Sequence, residues 1–125
     1  MGSQSRPGDG EMRLQSMHKS GLVRGVAVDP TPITAGEEIT VLYNGKLSNE
    51  GKGQVYLHLG YGKHNKWRNI SDMRMEKTGW GWVSTVPMPE VEGRFNFCFK
   101  DETNSWDNND GINWSFAIHN GSQRC

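Results

Sequence analysis

Two segments of the sequence set a tryptophan among glycines and polar residues, GYGKHNKW at positions 60–67 and DETNSWDNNDG at positions 101–111. Neither indole has an apolar neighbour in sequence that would draw it into a core, so Trp67 and Trp106 are candidates for exposed rings. An exposed indole is stabilised when an apolar surface covers it, and the C–H face of a sugar, rimmed by hydroxyl groups, is such a surface. The two segments therefore predict a site where sugars stack.

A histidine and a tyrosine near the first segment could extend this site. The run QVYLHL at positions 54–59 alternates, and because Val55 and Leu57 face inward, His58 must point outward. Tyr61 lies between two glycines and could flank the rings or anchor the loop. Two alternatives stay open: His58 as a solvated strand histidine, and each indole folded back to plug one end of the fold.

Polar residues directly follow the second indole. Asp107, Asn108 and Asn109 could contact sugar hydroxyls, because an Asn side chain offers both a donor and an acceptor. The same residue types also stabilise tight turns by bonding their own backbone. The sequence alone does not choose between these two roles.

The positions of these residues depend on short alternating strands. Sixteen Gly and five Pro in 125 residues favour many turns and exclude an all-α protein. Period-two runs occur at positions 38–43, 54–59, 80–86, 95–99 and 114–118. With two weaker runs they make about seven strands over roughly a hundred residues, which predicts an all-β protein, an immunoglobulin-like antiparallel β-sandwich.

Composition divides the chain and limits its partners. We expect a flexible leader at 1–22, the β-sandwich module at 23–119 and a frayed tail at 120–125. Fourteen basic and fourteen acidic residues give a formal net charge of 0, which counts against a nucleic-acid partner. No apolar run approaches a membrane span, so no membrane partner is predicted. Two cysteines do not fix a compartment.

The order of several motifs resembles a known family. VYLHLGY at 55–61 is followed by Trp67, GWGW at 79–82, FNFCF at 95–99 and WDNN at 106–109. Over about 36–118 this is similar to the starch-binding modules of carbohydrate-binding module family 25, although the stretch from Gly60 to Trp67 is a few residues longer than usual there. The family's sugar platform is one histidine and two tryptophans, which match His58, Trp67 and Trp106.

The resemblance implies a function as well as a fold. It implies a noncatalytic β-sandwich that binds an α-glucan polysaccharide such as starch or glycogen, or maltooligosaccharides, through α-1,4-linked glucose units. We expect no cofactor and assign no metal-binding residues. The resemblance also implies a module that is appended to, or cooperates with, a glycan-active enzyme.

Three other functions compete with this one. A carbohydrate-active enzyme fragment would use carboxylates from positions 101–110, but a glycosidase needs a pair about 5–9.5 Å apart with one raised pKa, and nothing in that polar segment desolvates one. Stacked aromatics also serve single-stranded nucleic acid, usually beside a basic groove. Aligning Gly111 with the turn glycine of an EF-hand loop puts Trp106 at the first ligand position, so that pattern fails, and a structural calcium stays open.

Overall fold

The computed structural model describes residues 7–50, 53–91 and 93–120. These residues form two helices and ten strands: α1 (Pro7–Ser20), β1 (Val26–Asp29), β2 (Ile33–Thr34), β3 (Glu38–Tyr43), α2 (Lys46–Glu50), β4 (Val55–Lys63), β5 (Lys66–Arg74), β6 (Glu76–Thr78), β7 (Gly81–Pro87), β8 (Gly93–Asp101), β9 (Trp106–Asp107) and β10 (Trp114–His119).

The strands form two sheets that face each other. The first sheet has the order β1-β3-β7-β6, and the second has the order β2-β10-β8-β4-β5 with β9 paired to β8. Every pairing is antiparallel except that of β10 with β2. The predicted all-β sandwich is confirmed. Ten strands appear instead of about seven because β2, β6 and β9 are only two or three residues long.

Alternation in the sequence explains the core between the sheets. The three phenylalanines of β8 at positions 95, 97 and 99 are fully buried, as are Val55 and Leu57 of β4. Each of these positions is two residues from the next, so all of them point to the same side of the second sheet. The residues between them point outward, and that outer face carries the candidate site.

The described part of the predicted flexible leader is helical. In α1, Leu14 and Met17 are three residues apart, so they lie on one side of the helix. They cover Leu42, which points away from the sandwich core on the first sheet and is nevertheless fully buried. The glycines and charges of this segment do not predict a helix. The helix is stabilised by its contact with the sheet rather than by helix propensity.

One predicted loop differs from the structure, and the predicted tail lies outside the described residues. The segment at 60–67, whose glycines and polar residues predict a loop, forms the paired ends of β4 and β5 around a turn at His64 and Asn65. The boundary of the module at 23–119 stays a prediction, and the tail at 121–125 lies outside the described residues. Among the described helices, none combines the length and the apolar character that a bilayer span requires.

Candidate functional site

The site is built on the outer face of the second sheet, around His58. In the strand register His58 of β4 lies opposite Asp72 of β5 on one side and Cys98 of β8 on the other. Lys100 lies two residues beyond Cys98 on β8 and faces the same way. The predicted outward orientation of His58 agrees with this register.

A β-bulge brings Trp67 onto this face. Trp67 and Asp72 are five residues apart on β5, so strict alternation would put them on opposite faces. The register between β4 and β5 shifts at Leu59 and Tyr61, and Asn69 adopts a positive φ of 53° within that shift. The extra residue turns the end of β5 so that Trp67 points to the same side as His58.

Trp67 is held by its own hairpin. Its Nε1 donates a hydrogen bond of 2.7 Å to the carbonyl oxygen of His64. Its indole lies directly over Gly60, where an added Cβ would come within 2.9 Å of the Trp67 Cβ and 3.0 Å of its Cε3. A side chain at position 60 would therefore displace the indole.

We expect Gly60→Ala to move the Trp67 ring and to lower the free energy of unfolding by about 1–3 kcal/mol, as overpacking does. The chemical shift of the Trp67 indole N–H reports the movement. The matched control is Gly79→Ala, because an added Cβ there meets nothing within 4 Å. An unchanged indole signal in Gly60→Ala would contradict the close packing.

A hydrogen bond from the first sheet holds Asp107, the residue next to Trp106. Trp106 and Asp107 form β9 against Lys100 and Phe99 of β8. The fully buried hydroxyl of Tyr43, on β3, donates to Asp107 Oδ2 at 2.6 Å. The neighbouring Asp107 is thereby fixed, and the Trp106 indole remains 41% exposed on the outer face.

The three rings converge without lying in one plane. The His58 and Trp67 ring centroids are 6.0 Å apart with an angle of 37° between the planes. The His58 and Trp106 centroids are 5.2 Å apart and the rings are perpendicular. Because their inclinations to His58 differ this much, the two indoles cannot be parallel. We call this set of three rings the platform.

Two charged residues that the sequence analysis missed adjoin the platform. Asp72 Oδ1 lies 2.6 Å from His58 Nδ1, and its Oδ2 lies 2.8 Å from Lys100 Nζ. Lys100 Nζ also lies 5.5 Å from the centroid of the Trp106 ring, within cation–π range. Strand alternation is the sequence signal that could have found them, because each lies at an outward-facing position of its strand.

These contacts set the charge of Asp72 and the orientation of His58. Desolvation opposes ionisation of Asp72, but the hydrogen bonds from Lys100 and then His58 outweigh it, so the pKa of Asp72 is lowered from 3.8. An ionised carboxylate only accepts hydrogen bonds, so His58 Nδ1 carries the proton that it donates. His58 Nε2 is then left for another partner.

We expect the Asp72 ion pair to stabilise the fold at neutral pH and to lose its effect in acid. The folded-state pKa lies below the unfolded value, so the stabilisation is present above 3.8 and disappears as the pH falls through the lower folded value. Thermal unfolding of Asp72→Asn and the unsubstituted protein checks this. The variant should melt lower at neutral pH and equally when the pH is far below 3.8, and a constant difference would contradict the assignment.

Cys98 lies beneath this group of side chains. It points outward in the register, yet it is only 5% exposed. Desolvation, followed by the negative charges of Asp72 and Asp107, raises its pKa to about 12. Cys98 is therefore a protonated thiol at physiological pH and offers no nucleophile.

Tyr61 lies away from the platform, which corrects its predicted place beside the rings. Alternation along β4 is the cause, because Tyr61 has the same parity as the inward-facing Val55 and Leu57. Its ring lies 5.9 Å from that of Phe95, and its hydroxyl donates to the carbonyl oxygen of Pro87 at 3.3 Å. Burial raises the pKa of Tyr61.

The polar residues after Trp106 mainly hold their own loop. Besides its bond to Tyr43, Asp107 accepts from the Asn109 backbone N–H at 3.3 Å. Asn109 Nδ2 donates to the Asn113 carbonyl at 3.0 Å, and Asn108 Oδ1 accepts from the Gly111 N–H at 2.9 Å. Asn108 is exposed and keeps its amide N–H donors. Of the three, Asn108 is the exposed one.

The acidic side chains at 101–110 do not form a metal-binding group of three. Within residues 7–50, 53–91 and 93–120, no group of three or more His, Cys, Asp or Glu side chains comes close enough to hold an ion. Asp101 Oδ1 instead accepts from the backbone N–H groups of Thr103 and Ser105 at 2.9 and 3.0 Å. That carboxylate orders the turn between β8 and β9.

A two-layer β-sandwich that gathers non-parallel aromatic rings on one sheet face is typical of proteins that bind carbohydrate. The sequence supports this class directly: residues 39–97 match the starch/carbohydrate-binding module of family 53. The chain is a starch-binding carbohydrate-binding module. His58 and Trp67 lie inside the matched residues, and Trp106 lies beyond them.

The chain is also similar to part of an enzyme. It is 36% identical over 91 residues to an α-amylase of Clostridium acetobutylicum. The aligned region covers 72% of this chain and only 11% of that enzyme. No solved structure matches the chain significantly.

Proposed function

We propose that this module binds α-1,4-linked glucan on the platform without cleaving it. One observation carries the proposal: the ring centroids of Trp67 and Trp106 lie 6.0 Å and 5.2 Å from that of His58, on the outer face of the second sheet. Sugars stack on such rings through their C–H faces. An α-1,4-glucan curls, so inclined rings suit it better than the flat strip that an extended polymer would favour.

Polar groups around the rings support a neutral, hydroxyl-rich ligand. Lys100 offers donors, Asp72 offers acceptors, and the Nδ1 bond of His58 leaves Nε2 for a sugar hydroxyl. Asn108, two residues after Trp106, adds exposed amide donors. In this proposal Asp107 and Asn109 act by shaping the loop around Trp106.

The proposal includes the absence of catalysis. A glycosidase acid needs a raised pKa, so that it is protonated at the working pH. Asp72, the carboxylate beside the rings, has a lowered pKa and is bonded through both oxygens. Asp107, next to Trp106, accepts a hydrogen bond from the Tyr43 hydroxyl. Neither is suited to protonate a leaving group.

We also propose the finer resemblance, to the starch-binding modules of family 25. Its histidine and two tryptophans correspond to His58, Trp67 and Trp106, which the fold gathers into one group. We also propose that the module cooperates with a glycan-active enzyme. The similarity to a small part of an α-amylase supports such a partnership.

An amide chemical-shift titration with maltoheptaose, with cellohexaose as the control ligand, tests ligand class and location together. We expect shifts at the three ring residues and Asn108, and a Kd on the order of micromolar to millimolar, because a small open platform buries few ligand atoms. Equal shifts with cellohexaose would refute the preference for α-linked glucan. Shifts confined to another face would refute the site.

A further inference from the structure

The outer face of the second sheet continues past the platform into a groove. Tyr56 lies two residues before His58 on β4 and so points the same way, roughly 6.6 Å further along the strand. In the register it lies between Arg74 of β5 and Lys100 of β8. These side chains, with Glu102 and Asn104, line a groove of about 450 Å³.

The groove and the platform share residues. Asp72 and Lys100 line the groove, and both also contact the platform, Asp72 through His58 and Lys100 over the Trp106 ring. Half-buried Tyr56 is therefore the next aromatic side chain in line with the three rings. A ligand could pass from one to the other along a single strand.

The opposite end of the platform is closed. Asn96, the outward residue of β8 beyond Cys98, is 0% exposed, and its Nδ2 donates to the Gly62 carbonyl at 3.0 Å. The His64 Nε2 lies 3.2 Å from the Ile112 carbonyl, so the β4–β5 hairpin is tied to the loop before β10. From His58, the exposed outer face of β4 and β8 therefore continues toward Tyr56 and Lys100 and not toward Asn96.

The side chains of the groove suit a neutral sugar. Arg74 Nε donates to Gln54 Oε1 at 3.1 Å, and Gln54 Nε2 in turn donates to the carbonyls of Val55 and Met75, so the guanidinium is held in place. Glu102 offers acceptors and Asn104 offers both kinds of group. Because fixed donors and acceptors of both charges surround one ring, the groove matches a hydroxyl-rich ligand.

We propose that Tyr56 forms an additional sugar-stacking subsite, so that the module recognises a longer run of α-glucan than the platform covers. This inference rests on the proposed function. In it, two or three glucose units occupy the platform, and the next unit lies on Tyr56 between Arg74 and Lys100. Affinity then rises with chain length until that subsite is filled.

Calorimetric titration of the unsubstituted protein, Tyr56→Ala and Tyr56→Phe with maltotriose and with maltoheptaose tests the subsite. We expect Tyr56→Ala to bind maltotriose as the unsubstituted protein does and maltoheptaose on the order of 10-fold more weakly. Tyr56→Phe keeps the ring and should retain most of the gain with length. Thermal unfolding of each variant shows whether it is folded.

The outcomes separate the subsite from the platform. Unchanged maltoheptaose binding in Tyr56→Ala would overturn the subsite alone, and equal weakening for both ligands would show that Tyr56 acts only through the platform. If the unsubstituted protein binds neither ligand, the proposed function fails and the subsite fails with it. Should Tyr56→Ala not fold, Asn104 amide shifts in the unsubstituted protein decide: maltoheptaose must move them and maltotriose must not.

Discussion

Replacing Trp106 with alanine should weaken maltoheptaose binding by about 1–3 kcal/mol, and Trp67→Ala should have an effect of similar size. The estimate follows from the stacking of flat ligands on aromatic side chains, where loss of one ring costs this much. Neither indole fills the core between the sheets, so both variants should fold. Calorimetric titration gives the affinity, and thermal unfolding gives the stability.

Trp80→Ala provides the matched control for these two variants. Trp80 packs on the outer face of the first sheet with Leu14 and Met17 of α1, on the other side of the sandwich. Its loss should lower the melting temperature and leave the affinity unchanged. If Trp67→Ala or Trp106→Ala binds maltoheptaose normally, or unfolds, that indole is not part of a binding platform.

The composition of the platform could be predicted from sequence because each member stands out locally. Trp67 and Trp106 lie among polar residues, and His58 lies between inward-facing leucines. The strand pattern then places them on a sandwich of the right size. These are short-range signals, and they need no knowledge of which strands pair.

The residues that hold the platform in place could not be predicted in the same way. Asp72 and Lys100 are ordinary charged residues until the pairing of β5, β4 and β8 puts them beside His58. The Asn69 bulge changes the face on which Trp67 lies, and only the register with β4 reveals it. Pairing between distant strands decides these features.

The helix α1 shows the same limit for the fold. Its two buried residues, Leu14 and Met17, provide little apolar periodicity, and glycine and serine near them indicate a leader. The helix is stabilised by apolar residues on the first sheet, above all Leu42. The alternation of β3 assigns Leu42 to the outer face, and the sequence contains no sign of what covers it.

Tyr43→Phe should weaken both the fold and glucan binding, although Tyr43 lies inside the sandwich. Its hydroxyl donates to Asp107 Oδ2 at 2.6 Å and accepts from the Leu47 N–H at 3.0 Å. Removing a buried bond to a charged group costs about 1–3 kcal/mol of stability. The loss also frees the residue next to Trp106, so affinity should fall, by no more than loss of the Trp106 ring would cause.

Close packing on two sides holds the Tyr43 ring that makes this bond. An added Cβ at Gly45 would come within 2.7 Å of Tyr43 Cε1 and 3.1 Å of Asp107 Oδ2. The Tyr43 ring is stacked on Phe99, with 3.9 Å between centroids, so its hydroxyl is fixed in direction. Such a bond positions Trp106 from behind and leaves its exposed face free for a sugar.

A double-mutant cycle with Tyr43→Phe and Asp107→Ala measures the coupling, with stability and maltoheptaose affinity as the two readouts. We expect the double variant to lose less than the sum of the two single losses, because both substitutions remove the shared bond, while each also removes one bond of its own. Tyr61→Phe is the matched control, since its hydroxyl makes a longer bond of 3.3 Å away from the platform and its loss should leave affinity unchanged. Strictly additive losses would show that Tyr43 and Asp107 act independently, and that the bond between them does not position Trp106.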